Sequence, residues 1–394
     1  MGHDEITGNP GWCTLCEVCT PSIRGWPHLG LRHHTARYSF VFMMTCLQRQ
    51  TVGVGPKALV LLLLPLAAFG VTMEPPKRTT LSDAGVRFTV PEKPYAILRR
   101  GALEAVVVDN RAVDDDVLAG HRAGYHGIGS LKHQKQQRNL FVPAYAGLNF
   151  EHIHDGTFQT DHVLFEPRRA PMQLRVIDGH TAELYQAPTP YWGLESCLRY
   201  QLIDDEVIEL TFECVPRRDR YRNGYIGLFW ASYIDRPESG DIHFLTAPAR
   251  IDTGPNWVRA TSPRHGVLAT HVASTDEREF AHDPDFPLTL VFNRSNHRYG
   301  EPWFLGVCRG MALVQAFRPS DRVWFSQSPS GGGEGNPAWD FQWFIPDYQV
   351  GRRYQLVMRA LYRVHEVNFT NPFESQDHLL RDLRRLQQSE APAR

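Results

Sequence analysis

The chain has 394 residues, of which 42% are hydrophobic and 22% are charged. Its 42 basic and 43 acidic side chains give a formal net charge of −1. This balance argues against a general nucleic-acid binder or a protein that binds anionic membranes, because both usually need an excess of basic residues. Aromatic side chains make up 11% of the chain and serve hydrophobic cores and flat ligand-binding surfaces alike.

A long apolar run at residues 58–71 follows the basic residues Arg49 and Lys57. It is shorter than the roughly 20 residues that a helix needs to cross a bilayer, but it has the length of the apolar part of a signal peptide. Small residues at Ala68 and Gly70 fit cleavage after Gly70. The pattern predicts export to the periplasm, the cell envelope or the medium. The alternative is a buried N-terminal helix or strand.

This interpretation divides the chain into three parts. Residues 1–42 are a doubtful extension that is disordered or not translated, because a signal peptide rarely begins near residue 45 and Met43 offers a later start. Residues 43–72 are the signal-like segment, and residues 73–394 form a single domain. No stable membrane insertion is expected of the mature chain.

The cysteines divide along the same boundary. Cys13, Cys16 and Cys19 have the spacing of soft metal ligands, but they precede the signal-like segment and are not interpreted as a metal site. The mature domain keeps Cys197 and Cys214, together with Cys308. Three cysteines allow at most one disulfide, so the fold must depend on its core.

The mature domain reads as β structure. Short runs rich in Val, Ile, Leu, Phe, Tyr and Thr alternate with clusters of Pro, Gly, Asp and Asn. The clearest pair of strands spans residues 196–202 and 206–215, where alternation in the second arm predicts one face in a core and the other largely in water. We predict an all-β fold, a large antiparallel β-sandwich (supersandwich), with a short C-terminal helix near residues 373–388.

The densest polar cluster spans residues 149–156. On an extended strand His152 and His154 project to the same face and can approach one substrate or one metal ion. A cupin-like metal site is an alternative, although Gln159 replaces the carboxylate that would complete it. We predict no metal and no cofactor. His126, His152 and His154 are candidate catalytic residues, and Tyr125 and Glu151 are candidate substrate-binding residues.

A second cluster lies between residues 326 and 347. A glycine-rich stretch precedes alternating aromatic and polar residues, a composition that suits a carbohydrate cleft because aromatic rings stack on sugar faces. We predict Asp340 as a catalytic residue and Asn336, Trp339 and Trp343 as substrate-binding residues. The alternative is a strand whose tryptophans fill the core.

A third cluster, residues 293–303, contains His297, Glu301 and Trp303. A Glu whose pKa is raised by burial can serve in acid–base catalysis. Glu301 is therefore a candidate catalytic residue and Trp303 a candidate binding residue. A solvated loop without chemistry is the alternative.

The stretch from Trp192 to Cys214 resembles the central hairpin of galactose mutarotase-like proteins, which include aldose 1-epimerases and sandwich domains of polysaccharide-degrading enzymes. The resemblance covers about residues 85–365 as strand order and length. It implies a β-supersandwich whose concave face binds sugars. Aldose 1-epimerases place a catalytic His in a short aromatic motif and a catalytic Glu late in the domain. Here the matching stretch reads Phe150-Glu151-His152, and no late carboxylate stands out.

The sequence thus predicts an exported carbohydrate-binding or carbohydrate-processing protein. If it is an enzyme, acid–base chemistry on a sugar by an epimerase, a lyase or a hydrolase is expected. A non-catalytic binding or structural sandwich in the cell envelope is the alternative. Carbohydrate is the predicted partner, nucleic acid is not, and the oligomeric state is left open.

Overall fold

A computed structural model describes residues 78–247 and 256–365 of the chain. These residues belong to one compact unit, Gly70–Arg394. The predictions for the extension at 1–42, for the signal-like segment at 43–72 and for the helix near 373–388 lie outside the described residues. Within the described ranges, no helix has the length and apolar character that a membrane crossing requires.

Strands far outnumber helices among the described residues, which confirms the predicted all-β class. The strands in chain order are β1 (Tyr95–Arg100), β2 (Leu103–Val108), β3 (Gly127–His133), β4 (Asn149–His154), β5 (Gln173–Asp178), β6 (Thr181–Gln186), β7 (Leu194–Asp204), β8 (Val207–Pro216), β9 (Tyr225–Ala231), β10 (Ile242–Leu245), β11 (Trp257–Ala260), β12 (Thr270–His271), β13 (Trp303–Cys308), β14 (Met311–Phe317), β15 (Trp324–Ser328), β16 (Ala338–Pro346) and β17 (Tyr354–Val364). The short helices are α1 (Asp161–Leu164), α2 (Glu166–Arg169) and α3 (Thr289–Phe292).

Every pairing between these strands is antiparallel. A nine-stranded sheet has the order β11-β10-β13-β14-β17-β8-β7-β6-β5, and a five-stranded sheet has the order β12-β15-β16-β9-β4. Strands β1, β2 and β3 form a third sheet. One large apolar core joins the nine-stranded and five-stranded sheets, with Phe212, Trp230, Phe341 and Tyr362 among its members. The molecule is therefore a β-sandwich.

The predicted hairpin is confirmed as β7 and β8, which pair from Leu194↔Pro216 to Asp204↔Val207. Ile208, Leu210 and Phe212 face the main core, as their alternation predicts. The expectation for the opposite face is wrong, because every residue of β8 is buried. That face is covered by the segment Arg78–Ser82, which contacts the buried carboxylate of Glu213.

Glu213 holds this covering segment through several hydrogen bonds. Thr79 Oγ1 and Ser82 Oγ each donate to Glu213 Oε2 at 2.6 Å, and the backbone N–H of Thr79 donates at 3.3 Å. Gln355 Nε2 donates to Glu213 Oε1 at 3.0 Å. Because a buried carboxylate needs such donors, the segment and the charge stabilise one another.

Replacing Glu213 by Ala is expected to lower the free energy of unfolding by about 3 kcal/mol, since hydrogen bonds to buried charged groups are lost and their donors stay buried. Residues 78–82 should become sensitive to protease at the same time. Chemical denaturation and limited proteolysis measure both effects. Glu104→Ala, which removes a partly exposed carboxylate paired with Arg99 at 2.8 Å, is the control and should cost at most about 1 kcal/mol. Equal effects of the two changes would contradict this account.

The five-stranded sheet has a second buried face. A separate apolar cluster lies on it, including Phe229, Ala231, Tyr233 and Phe344, with Leu164 from α1 packed among them. Because residues alternate along each strand, Trp230 and Phe341 enter the main core while their neighbours lie on the face that the short helices, α3 included, cover. This helix-covered face carries the polar residues of the candidate site.

The three cysteines of the described region are all buried and free. Burial raises the pKa of the thiols of Cys197 and Cys214 well above the ordinary value, so both are protonated near neutral pH. Cys214 lies in the main apolar core, whereas the Cys197 thiol donates to the buried Glu183 carboxylate at 3.4 Å.

Candidate functional site

A β-bulge in β4 places Glu151 in the site. Phe150 pairs with Trp230 and His152 pairs with Phe229, so Glu151 is the extra residue between them. Phe150 lies in the main core, whereas Phe229 belongs to the cluster under the helices. A bulge turns neighbouring side chains toward one face of a sheet. Glu151 and His152 thereby both reach the helix-covered face.

The carboxylate of Glu151 is held by two donors. The Tyr233 hydroxyl lies 2.7 Å from both Oε atoms, and Arg168 Nη1 donates to Oε1 at 3.0 Å. Only 5% of the Glu151 side chain is exposed. Burial raises the pKa of Glu151, and the contacts with Arg168 and Tyr233 oppose that shift. Burial and the Glu151 charge raise the pKa of Tyr233 well above its ordinary value, so the phenol keeps its proton.

Two half-buried tyrosines, Tyr125 and Tyr145, pack against Tyr233, which holds this carboxylate. The ring centres of Tyr125 and Tyr145 lie 4.5 Å apart. The centre of the Tyr233 ring is 5.8 Å from that of Tyr125 and 5.0 Å from that of Tyr145. We call Tyr125 and Tyr145 the tyrosine mouth. The Arg168 guanidinium stacks 3.8 Å from the centre of the Tyr125 ring. Aromatic rings, a cation and a carboxylate thus form one cluster with two half-buried rings at its edge.

Arg168, on α2, is fixed from several directions. Its Nε donates to the carbonyl of Gly124 at 3.0 Å, and the amide of Asn110 donates to the Arg168 carbonyl at 3.3 Å. Gly124 has a φ of +91°, a conformation that favours glycine. The loop before β3 and the helix α2 therefore position one guanidinium against Glu151.

Asp340 and His126 lie deeper behind Glu151. Asp340 Oδ1 accepts the backbone N–H of Ser232 at 3.0 Å, and burial together with the Glu151 charge raises the pKa of Asp340 well above its ordinary value. His126 has no exposed surface, and neither ring nitrogen has a hydrogen-bond partner among the described residues. Burial, with a contribution from the Arg168 charge, lowers the pKa of His126 to about 3. A buried carboxyl group with a raised pKa and a neutral imidazole therefore lie behind Glu151.

His152 and His154 share a face, as the strand pattern predicts, but both are buried among aromatic rings. The ring centre of His152 lies 4.3 Å from that of Phe165, and the ring centre of His154 lies 5.1 Å from that of Phe286. Burial lowers the pKa of His154 to about 3 and that of His152 well below its ordinary value. Both imidazoles are neutral and shielded from solvent, which removes the expected route to a substrate. In residues 78–247 and 256–365, no group of three or more His, Cys, Asp or Glu side chains is arranged to hold a metal ion.

The sequence predicted Trp339 and Trp343 as substrate-binding residues. This expectation is corrected, because both side chains lie in the hydrophobic core. Trp339 has no exposed surface and donates from Nε1 to the carbonyl of Gly240 at 3.1 Å. Trp343 is 7% exposed and belongs to the same core. Their alternation in β16 directs them toward the nine-stranded sheet, whereas Asp340 points the other way.

Glu301 and Trp303 also lie away from Glu151. Trp303 is fully buried on the nine-stranded sheet in a third apolar cluster, 5.4 Å from Trp257. Its Nε1 donates to Glu301 Oε2 at 3.0 Å. Trp303 is therefore not exposed for substrate binding, contrary to the prediction.

Asn336 has a structural contact in the glycine-rich turn. Its Nδ2 donates to the carbonyl of Gly332 at 3.2 Å, and its Oδ1 accepts the N–H of Arg236 at 3.2 Å. Its amide orders the turn, and both amide atoms have protein partners.

Of the predicted site residues, the structure groups Tyr125, His126, Glu151, His152 and Asp340. Sequence reasoning missed Arg168, Tyr145 and Tyr233. The proline at the start of α2 indicates a helix start, but no local pattern ties Arg168 to a carboxylate 17 positions earlier. Tyr145 and Tyr233 are ordinary aromatic residues in their own segments.

The fold and this site define an all-β sandwich with a carboxylate–guanidinium–tyrosine cluster on its five-stranded sheet. No protein-family profile and no curated protein sequence matches the chain. Solved structures similar to it include a putative aldose 1-epimerase from Escherichia coli K12, at 10% identity and a TM-score of 0.41 over 68% of this chain and 99% of the other. A galactose mutarotase-like protein from Lactobacillus casei is similar at 6% identity and a TM-score of 0.39, over 68% and 100% of the two chains.

A heparan sulfate lyase mutant from Pedobacter heparinus is similar at 8% identity and a TM-score of 0.37, over 70% of this chain and 36% of the lyase. The resemblance to galactose mutarotase-like structures that the hairpin predicts is thus present, at low identity and low TM-score.

Proposed function

We propose that this protein binds carbohydrate at the tyrosine mouth. The observation that carries the proposal is the buried Glu151 carboxylate, held by Arg168 and Tyr233 beneath two half-buried tyrosine rings. Aromatic faces stack on the C–H faces of sugars, and charged side chains beside them bind hydroxyl groups. Because Glu151 and Arg168 largely compensate each other's charge, the site suits a neutral polyhydroxylated ring better than a strongly charged ligand.

Acid–base chemistry is the finer part of this proposal. Glu151 is the candidate base, since its carboxylate is fixed by two donors and borders the mouth. Tyr233 is the candidate acid, because it keeps its proton and already contacts Glu151. The histidines are poorer candidates because burial lowers their pKa far below neutral, so their rings are weak bases and carry no proton to donate as an acid near pH 7. A ligand that displaces the Tyr233–Glu151 hydrogen bond would reach both groups.

Binding is tested with a glycan array followed by titration calorimetry of the sugars retained. Tyr125→Ala and Tyr145→Ala are each expected to weaken binding by about tenfold, the value of one lost stacking contact. Tyr185→Ala is the matched control. Tyr185 is also half-buried and carries a guanidinium, that of Arg175, at 3.8 Å, but it lies on the nine-stranded sheet. Equal losses for Tyr185 and Tyr125, or no sugar bound by the wild-type protein, would refute the proposal.

Catalysis is tested on the sugars that bind. Glu151→Gln and Tyr233→Phe are expected to lower turnover by about 100-fold or more while thermal unfolding shows that the fold persists, because positioned proton transfer contributes on that scale. Mutarotation, eliminative cleavage and hydrolysis are followed separately. Binding without turnover in any assay would favour the alternative, a non-catalytic binding sandwich.

Export also remains a proposal, supported by the apolar run at 58–71 and the small residues before position 71. Expression of the full chain with N-terminal sequencing of the extracytoplasmic protein tests it. A mature N-terminus near Val71 is expected, and full-length protein retained in the cytoplasm would contradict it.

A further inference from the structure

A cavity of about 270 Å³ lies at one end of the sandwich. Its walls come from the connection between β9 and β10, from the residues that follow β11, and from the glycine-rich turn between β15 and β16. The lining residues are Pro237, Glu238, Ser239, Gly240, Asp241, Thr261, Ser262, Gln327, Pro329, Gly335 and Pro337. Its volume is close to the roughly 300 Å³ at which small-molecule pockets begin.

The lining is rich in groups that accept hydrogen bonds and poor in cations. Asp241 Oδ2 accepts from Ser239 Oγ at 2.6 Å and from Arg259 Nε at 2.5 Å, and Glu238 Oε2 accepts the N–H of Arg309 at 2.8 Å. Gln327 is 1% exposed, and its Nε2 lies 3.0 Å from His271 Nε2. Carboxylates, hydroxyls and an amide between prolines suit a ligand with several hydroxyl donors and exclude a simple anion.

The glycine-rich turn joins this cavity to the tyrosine mouth. On one side, Gly335 and Pro337 line the cavity. On the other side, a Cβ placed on Gly332 would lie 3.3 Å from Val142, three residues before Tyr145. Tyr233 is bridged to Ala338, directly after Pro337. The two places are therefore neighbours across one short turn.

We infer that the cavity is a second subsite for the same ligand, so that the protein recognises an oligosaccharide chain and not a free monosaccharide. This inference rests on the proposed function. One ring lies on Tyr125 and Tyr145, the chain crosses the glycine-rich turn, and a further ring enters the cavity and donates hydroxyls to its acceptors. The turn favours such a crossing because glycines leave its surface without side chains.

The experiment measures affinity against chain length, using mono- to hexasaccharides of each sugar series that the glycan array retains. Wild-type affinity is expected to rise by about tenfold once the chain is long enough to reach the cavity, as for one or two added hydrogen bonds. Thr261→Trp fills the cavity, and Glu238→Ala removes an acceptor that another segment, the β9–β10 connection, contributes to the lining. Both variants should lose that gain and keep wild-type affinity for short sugars. Gln349→Trp, at an exposed position outside the cavity, should keep the gain.

The outcomes separate the two proposals. Affinity that is independent of chain length, or a gain that survives in both cavity variants, overturns the second subsite and leaves the tyrosine mouth as a monosaccharide site. Absence of binding at every length overturns the proposed function as well. Thermal unfolding of each variant checks the fold, and since the two changes lie in different segments of the chain, a folding defect in one leaves the other as the test.

Discussion

Acidification is expected to destabilise this protein steeply between about pH 6.5 and pH 3, because several buried histidines are neutral in the folded state, among them His126, His154 and His271. Burial lowers the pKa of His126, His154 and His271 to about 3, against an ordinary value of 6.5. Below pH 6.5 the unfolded chain binds protons at these positions and the folded chain does not. Stability therefore falls as the pH falls, by up to about 1.4 kcal/mol per pH unit for each histidine, until the folded state also protonates.

His154→Phe tests the origin of this loss. His154 has no hydrogen-bond partner among the described residues and is surrounded by aromatic rings, including Phe286 and Phe344, so a phenyl ring fits its chemical surroundings. Urea denaturation from pH 7 to pH 4 measures how steeply the free energy of unfolding falls with pH. In His154→Phe this slope should be smaller than in the wild type by the contribution of one histidine, up to about 1.4 kcal/mol per pH unit. His162→Phe, at an exposed position, should keep the wild-type slope. An unchanged slope in His154→Phe would show that this imidazole titrates normally in the folded protein.

Trp339→Ala is expected to lower the free energy of unfolding by about 3–5 kcal/mol, the range for removing a fully buried large aromatic side chain. The Trp339 ring packs against Gly306 of β13, where an added Cβ would lie 2.4 Å from ring atom Cζ2. The indole thus occupies space that the opposite sheet leaves open. The change also removes the hydrogen bond to the Gly240 carbonyl.

Trp339→Phe should recover much of this stability while Trp339→Ala does not, because the phenyl ring refills part of the space. Denaturant unfolding measures the stability of both variants, and calorimetry measures their sugar affinity. Trp257→Ala, at a half-buried position on β11, should cost less. A variant Trp339→Ala that is fully stable but loses sugar binding would restore the sequence-based expectation that Trp339 stacks on a ligand.

Glu151 illustrates how the candidate site depends on a small local irregularity. Without the bulge after Phe150, strict alternation would direct Glu151 away from the face that His152 shares. With the bulge, its carboxylate accepts hydrogen bonds from the hydroxyl of Tyr233, which follows β9, and from the guanidinium of Arg168 on α2. The register shift of one residue therefore allows the Glu151 side chain to form the centre of a polar cluster on the same face as His152.

The strand pattern by itself determined the fold class and the β7–β8 hairpin, because burial of one sheet face imposes a period of two that is written in neighbouring residues. It also identified the segments around Tyr125, Glu151 and Asp340. Which side of each strand faces a ligand was decided only by the tertiary structure. Glu213 is buried because the distant segment Arg78–Ser82 covers it, and the partners of Glu151 come from separate parts of the chain. These groups are brought together by packing between distant parts of the chain, which cannot be predicted from the order of neighbouring residues.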